Sequence, residues 1–217
     1  MKEEKNMDRI CYIFGAGERS THYIELHPKD LVIAADGGFD YLEEIGLRAD
    51  IVLGDFDSVV SYDLPYDAIR YPREKDDTDM MIAVKMGLDK GYTEFAIYGG
   101  LGGRLDHTIG NIQLLTYLAK NGAAGTLYHD DFAVKVVNGG SIVLGKDATF
   151  NVAGNICSVF ALDRHCHNVT ISGLKYEVTG EDWYNHLPKG VSNEFTGKRA
   201  VISCSKGTIG VLYYIVK

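Results

Sequence analysis

Apolar residues along this chain change their period once, near residue 138. Before that point, compact apolar runs alternate with stretches whose apolar positions recur every three or four residues. Ile10–Phe14, Leu31–Ala35, 51–53, Glu94–Tyr98, 125–128 and 132–137 read as strands, most of them apolar throughout as buried parallel strands are. A short strand is expected near 69–71. Between them, 39–45 reads as a helix stopped by Gly46. Met80, Met81, Val84 and Leu88 keep helical spacing up to Gly91, and Ile109, Ile112, Leu115 and Leu118 keep it up to Asn121-Gly122. Strands alternating with helices predict a mostly parallel, doubly wound α/β sheet covered on both faces. After Asn138-Gly139-Gly140 no helical period persists. Short β-rich runs at 141–144, 148–152, 156–161, 169–172, 174–179, 199–203 and 209–216, parted by turn residues, predict an antiparallel all-β sandwich. The expected division is an α/β domain over residues 1–138 and a β-sandwich over 139–217.

Composition changes this picture little. At 217 residues and 46% hydrophobic, the chain can bury the core of one large domain or two small ones. A net charge of −8 argues against nonspecific binding to nucleic acid or an anionic membrane, but leaves room for a local anion site. The apolar run 10–14 after the charged start is too short for a signal peptide or a membrane span, so a cytoplasmic location is the default expectation. Cys11, Cys157 and Cys204 lie in apolar strand-like runs, which predicts buried free thiols rather than disulfides. In His165-Cys166-His167 a strand would turn both histidines to one face, but no further zinc ligands are evident.

The chemistry concentrates where strands end. Gly54 ends the run 51–53, and Asp55 and Asp57 follow at once, with Ser58 behind them. Gly, Asp and Ser also form ordinary turns. Two further polar clusters shift the balance. Asp76-Asp77-Thr78-Asp79 opens the second helix with more acid than a cap requires. Gly99-Gly100-Leu101-Gly102-Gly103-Arg104-Leu105-Asp106-His107 opens the third, with Asp106 a possible N-cap. A glycine-rich turn feeding a helix suits phosphate, and Arg104 adds a planar donor fork, although the Lys-Ser/Thr ending of a P-loop is missing. In a doubly wound sheet such positions converge on one edge. Carboxylates alone would repel phosphates, so this combination points to magnesium with a nucleoside triphosphate. Gly15-Ala16-Gly17 resembles the start of a dinucleotide fingerprint, but Ser20 holds the place of its third glycine.

With Asp36-Gly37-Gly38, Gly173-Leu174-Lys175-Tyr176 and Ser192-Asn193-Glu194 added, these motifs resemble the thiamine pyrophosphokinase family over nearly the whole chain. The resemblance implies an α/β catalytic domain, a β-sandwich, and a homodimer whose clefts lie between the catalytic domain of one subunit and the sandwich of the other. It implies transfer of a pyrophosphoryl group from ATP to the hydroxyethyl oxygen of thiamine, releasing AMP. Asp55, Asp57, Asp76 and Asp79 would hold magnesium. Asp36, Gly37, Thr78, Gly102, Gly103, Arg104 and His107 would meet ATP, with Asp106 assisting and Asp79 or Asp106 a candidate proton acceptor. Ser192 and Asn193 would meet the pyrimidine of thiamine, and Trp183 would stack on a ring if it does not simply pack in the core. Two alternatives stand beside this: a pyrophosphokinase acting on another hydroxymethyl heterocycle such as a pterin, and a non-enzymatic magnesium–nucleotide module.

Overall fold

The computed structural model describes residues 9–20, 24–57, 64–145 and 152–215. Five parallel strands come first: β1 (Ile10–Phe14), β2 (Leu31–Ala35), β3 (Ile51–Gly54), the two-residue β4 (Ile69–Arg70) and β5 (Glu94–Tyr98). β6 (Ala124–Tyr128) extends the parallel set beside β5, giving the order β6-β5-β1-β2-β3-β4. The buried runs of β1 and β2 have apolar layers on both sides. α1 (Gly38–Ile45) covers one face and α2 (Asp79–Asp89) with α3 (Leu105–Lys120) covers the other. Leu114, Leu115 and Leu118 form the inward stripe of α3, each contributing roughly 2 kcal/mol by leaving water. Gly46 ends α1 in the left-handed conformation (φ 69°). Thr78 proves to be the N-cap of α2, accepting a hydrogen bond from Met81 N at 3.2 Å. Asp106 does not cap α3; Arg104 occupies that position and Asp106 sits in the first turn, where its charge favours the helix dipole.

The second half is β-rich: β7 (Phe132–Leu144), β8 (Ile156–Ala161), β9 (Cys166–Ser172), β10 (Val178–Trp183), β11 (Gly190–Glu194) and β12 (Ala200–Tyr214). Its centre is β12, which pairs along its length with β7. On its other edge it meets β9 through its first half and β8 through its second. The sheet therefore forks, and the β9-β10 and β8-β11 branches share one apolar core with Ile202, Ile209 and Val211.

Three strand expectations change. The runs at 132–137 and 141–144 are one strand, as are those at 199–203 and 209–216 as far as Tyr214, because Gly140 pairs with Cys204 and the ladder resumes at Asn138 with Thr208 across a bulge. The strand expected at 174–179 starts only at Val178; Gly173 (φ 78°) turns the chain, and Leu174 keeps a single bridge to Phe195. Ser58, Val216 and most of the strand expected at 148–152 lie outside the described residues. All four cysteines are buried free thiols, and burial pushes the Cys11 and Cys157 thiols up to about 12. No helix among the described residues is long and apolar enough to cross a membrane.

The halves meet at a polar pin. Lys120 Nζ at the end of α3 donates to Asp163 Oδ1 at 2.8 Å, and the buried Thr208 hydroxyl of β12 donates to Asp163 Oδ2 at 2.7 Å. Burial alone would raise the Asp163 carboxyl, but the bonds from Lys120 and Thr208 outweigh it and hold the group below its usual range.

Candidate active site

β2 and β5 flank β1 on opposite sides, so a crevice opens at the carboxyl ends of these strands. Asp36 follows β2, and its N–H donates to Leu53 O of β3 at 2.8 Å. A Cβ on Gly54 would lie 2.9 Å from Asp36 Cα, so only glycine lets these two strand ends come so close. Beyond Gly54, Asp57 N donates to Asp55 Oδ1 at 3.1 Å, closing a small turn. Asp36 (φ 50°) and Phe56 (φ 61°) both adopt the left-handed conformation, which costs a residue bearing a Cβ about 1–2 kcal/mol. The strain is local to the acidic group. Carboxylate oxygens of Asp36, Asp55 and Asp57 come within 4.8 Å of one another. The set brought together is thus Asp36 with Asp55 and Asp57; Asp76 and Asp79 stand apart from it.

The facing wall is the segment before α2. Lys75, absent from the residues picked out by sequence, is its centre: Nζ lies 2.9 Å from Asp79 Oδ1 and 3.8 Å from Asp55 Oδ2, with only 13% of the side chain exposed. Its one signal in the sequence is a lone cation inside Glu74-Lys75-Asp76-Asp77. Asp77 also lines the cleft and pairs with Lys85, 2.5 Å from its Nζ. Asp36, Asp55, Asp76, Thr78, Asp79 and His107 all line one cleft of about 550 Å³. Asp57 stands at its rim with Arg73 3.5 Å away.

The glycine-rich turn is held from below. Gly17 N donates to Gly99 O at 2.7 Å, and a Cβ on Gly99 would lie 2.2 Å from Gly15 O. Gly15-Ala16-Gly17 therefore serves to let two loops touch. Asn111 of α3, another residue not singled out by sequence, is buried and donates through Nδ2 to Gly100 O at 2.7 Å. Gly103 N points to Glu18 Oε1 at 3.4 Å, and Glu18 Oε2 is 2.9 Å from His129 Nε2. A carboxylate already rests against the Gly103 amide, the kind of group an anion site there would accept. Arg104 grips Asp106 through two bonds of 3.1 and 2.5 Å, and that contact holds the Asp106 carboxyl below its usual range. Asp106 lines the cleft, whereas Arg104, Gly37, Gly102 and Gly103 are not among its lining residues.

The residues expected to meet thiamine are elsewhere in the chain. Ser192 is exposed on β11 with φ 60°. Asn193 is 5% exposed, and its amide is occupied by backbone: Oδ1 accepts from Tyr176 N and Glu194 N, each at 2.9 Å, and Nδ2 donates to Tyr176 O at 2.8 Å. It clamps the turn after Gly173 to β11. Trp183 is buried in the β core against Gly190, with Nε1 donating to Glu181 Oε2 at 3.3 Å. Within one chain its ring is packed, not presented.

Comparison with known proteins decides the lineage. The family model "Thiamin pyrophosphokinase, catalytic domain" matches residues 25–127, and "Thiamin pyrophosphokinase, vitamin B1 binding domain" matches 145–209. The chain belongs to the thiamine pyrophosphokinase family. The thiamine pyrophosphokinase of Bacillus subtilis is 29% identical over 199 residues, covering 87% of this chain and 88% of the relative. A crystal structure of thiamine pyrophosphokinase from the same organism superimposes with a TM-score of 0.83 at 26% identity, covering 96% of this chain and all of that one. A thiamin pyrophosphokinase family protein from Enterococcus faecalis does so at 0.79 with 26% identity, over 97% and 100% of the two chains. The yeast thiamin pyrophosphokinase shares the fold at 15% identity and a TM-score of 0.72, over 98% of this chain and 88% of that one. The thiamine pyrophosphokinase fold thus pairs the α/β half bearing the acidic cleft with the β-rich half bearing Ser192.

Proposed function

We propose that this chain is a thiamine diphosphokinase that transfers the terminal pyrophosphoryl group of ATP to the hydroxyethyl oxygen of thiamine and releases AMP. The observation carrying this is the acidic triplet Asp36, Asp55 and Asp57 beside a glycine-rich, helix-opening turn, in a chain of this family. A magnesium ion surrounded by six oxygens at 2.0–2.1 Å has neighbours about 3 Å apart and opposite ones about 4 Å apart. Carboxylate oxygens within 4.8 Å of one another are close to that spacing, and hard oxygen donors suit the ion, so the triplet fits it. Asp36, Asp55 and Asp57 would hold it, with Asp76 and Asp79 reaching it through water; once bound it supplies charge neutralisation for the polyphosphate.

The protein's own groups account for the rest. Lys75, aimed between Asp55 and Asp79, keeps the far wall from repelling phosphate oxygens. Arg104 releases Asp106 to grip the nucleotide phosphates, which its fork geometry favours. The thiamine hydroxyl oxygen forms a bond to the β-phosphorus as the bond to the oxygen bridging the α- and β-phosphorus atoms breaks. The electron pair leaves on AMP, and the hydroxyl proton passes to a carboxylate in the cleft. Asp79 or Asp106, both of which line the cleft, is the proposed acceptor. Holding the two substrates in line supplies most of the rate.

The cleft of one chain is lined entirely from the α/β half, while Ser192 and Trp183 lie in the other. That separation supports a homodimer in which the partner's β-rich half completes each site. We take the domain division at residue 138, within β7, as the working boundary, and a cytoplasmic location as the working assumption. Nucleotide analysis after incubation with thiamine, ATP and magnesium tests the reading. AMP in step with thiamine diphosphate supports it; ADP would mean an ordinary kinase, no product a binding module, and faster use of a pterin alcohol a different substrate.

A further inference from the structure

A second group of ligand-type side chains lies in the β-rich half, at the end of β9 remote from Gly173 and Asn193. His165 precedes β9, His167 is its second residue, and Asp182 lies on β10 opposite them. One ligand atom from each residue falls within 4.8 Å of the others. His165 Nε2 is 2.8 Å from Asp182 Oδ2, and His167 Nδ1 is 3.6 Å from the same oxygen. A tetrahedral ion with bonds of 2.0–2.1 Å has ligand atoms about 3.3 Å apart, a value these two separations bracket.

The backbone produces this convergence. Glu181 pairs with Val169 and Trp183 with Cys166, so three steps along β9 face two along β10. The extra residue is taken up beside Asn168, a non-glycine residue at φ 52°. Asn168 N then donates to Asp182 Oδ1 at 3.2 Å, leaving Oδ2 toward the histidines. The two imidazole centroids lie only 3.7 Å apart, and Tyr184 stacks on His165 at 4.6 Å, which fixes the ring. A hydrogen-bonded clamp between β9 and β10 would need one histidine. Two that converge on one carboxylate oxygen, and remain partly open to solvent (34% and 41% exposed), form a ligand set. None of the three residues lines the acidic cleft.

We propose that His165, His167 and Asp182 form a binding site for one divalent transition-metal ion, with solvent completing the coordination. Two imidazoles and one carboxylate suit zinc, copper or nickel and are a poor set for magnesium. The ion would tie β10, an edge strand of the sheet, to β9.

Zinc titration of the full chain in excess magnesium, against a chromophoric chelator, tests this independently of catalysis. One zinc per chain is expected, with a visible absorption band when cobalt replaces zinc. His165→Ala/His167→Ala should abolish both signals. Asp182→Asn keeps an acceptor for Asn168 N, so it preserves the strands, and it should weaken zinc at least about tenfold. Asp55→Asn, in the acidic cleft, should leave zinc binding as it was. No equimolar binding by the parent chain would overturn the proposal, as would parental affinity in either cluster variant. Loss of zinc in Asp55→Asn would overturn it too, by placing the ion in the cleft. Circular dichroism of each variant separates loss of binding from loss of fold.

Discussion

The acidic cleft and the Ser192-Asn193 turn both carry residues that the family motifs single out, yet they are built in opposite ways. In the cleft, three carboxylates crowd within 4.8 Å on a backbone with two left-handed residues, with Lys75 near Asp55 and the largely exposed Arg73 near Asp57. Like charges held this close oppose folding until something positive joins them. At the turn, Asn193 is buried and its amide is engaged by backbone on both its oxygen and its nitrogen. The first region gathers like charges that a bound cation would relieve, and the second has its polar groups paired within the chain. A motif residue of the first kind contributes to function at the expense of stability. One of the second kind contributes to stability and reaches function through position.

Replacement of Asp55 should separate the two most widely. Asp55→Asn keeps an oxygen to accept from Asp57 N but removes a third of the triplet's charge. Turnover should fall about a hundredfold or more, near 3 kcal/mol of transition-state stabilisation. The thermal midpoint should hold or rise, since a repulsion has been removed. Steady-state kinetics at saturating magnesium with a melting curve checks both; a large fall in midpoint would place Asp55 in the second class.

Asn193→Ala should behave in the reverse sense. It removes the part-buried partners of Tyr176 N, Tyr176 O and Glu194 N, so a stability loss of roughly 1–2 kcal/mol is expected by denaturant titration. Thiamine use should decline only as the turn loosens. Selective loss of thiamine with an unchanged unfolding midpoint would return Asn193 to direct contact with substrate. Its neighbour Ser192 is the exposed, left-handed member of the pair. Ser192→Gly relieves that conformation and deletes the hydroxyl. Stability should be kept, while kcat/KM for thiamine falls about fivefold, close to 1 kcal/mol.

The smallest effect is expected at the pin between the halves. Because the Asp163 carboxyl is held below its usual range when folded, its contribution is complete above the unfolded value near 4 and is lost as pH falls through the lower folded value. Asp163→Asn should cost about 1 kcal/mol at neutral pH and flatten the acid limb of the stability curve. Parallel acid limbs in the two proteins would show that this contact does not couple the halves.

How far the sequence could be read follows the same physics. The parallel strands and the helices were legible because burial on a sheet or on one helix face imposes a period on neighbouring residues. Asp55 and Asp57 were legible because they follow a strand end directly. That Asp36 joins them instead of Asp76 or Asp79 depends on β2 lying beside β3, a pairing between residues 18 positions apart in sequence, as in Ile33 with Ile51. Lys75 hid in a run that reads as solvated charge. The bulges of β12 and β9 hid as well, because a bulge and a turn draw on the same glycines and polar residues. Asn193 shows the remaining ambiguity: donors and acceptors suited to a pyrimidine edge are equally suited to a peptide.

The position of β12 bears on how the molecule is made. This strand follows all the others, yet it supplies the pairing edge for β7, β8 and β9. During synthesis the α/β half has its strands and helices in hand long before Ala200 emerges, whereas the β-rich half has no shared strand around which to close. Its segments must wait with their edges open, then zip up when a single 15-residue stretch arrives. Chaperone demand should therefore fall late in translation, and a nascent chain stalled ahead of β12 should expose most of one core while the other is already shut.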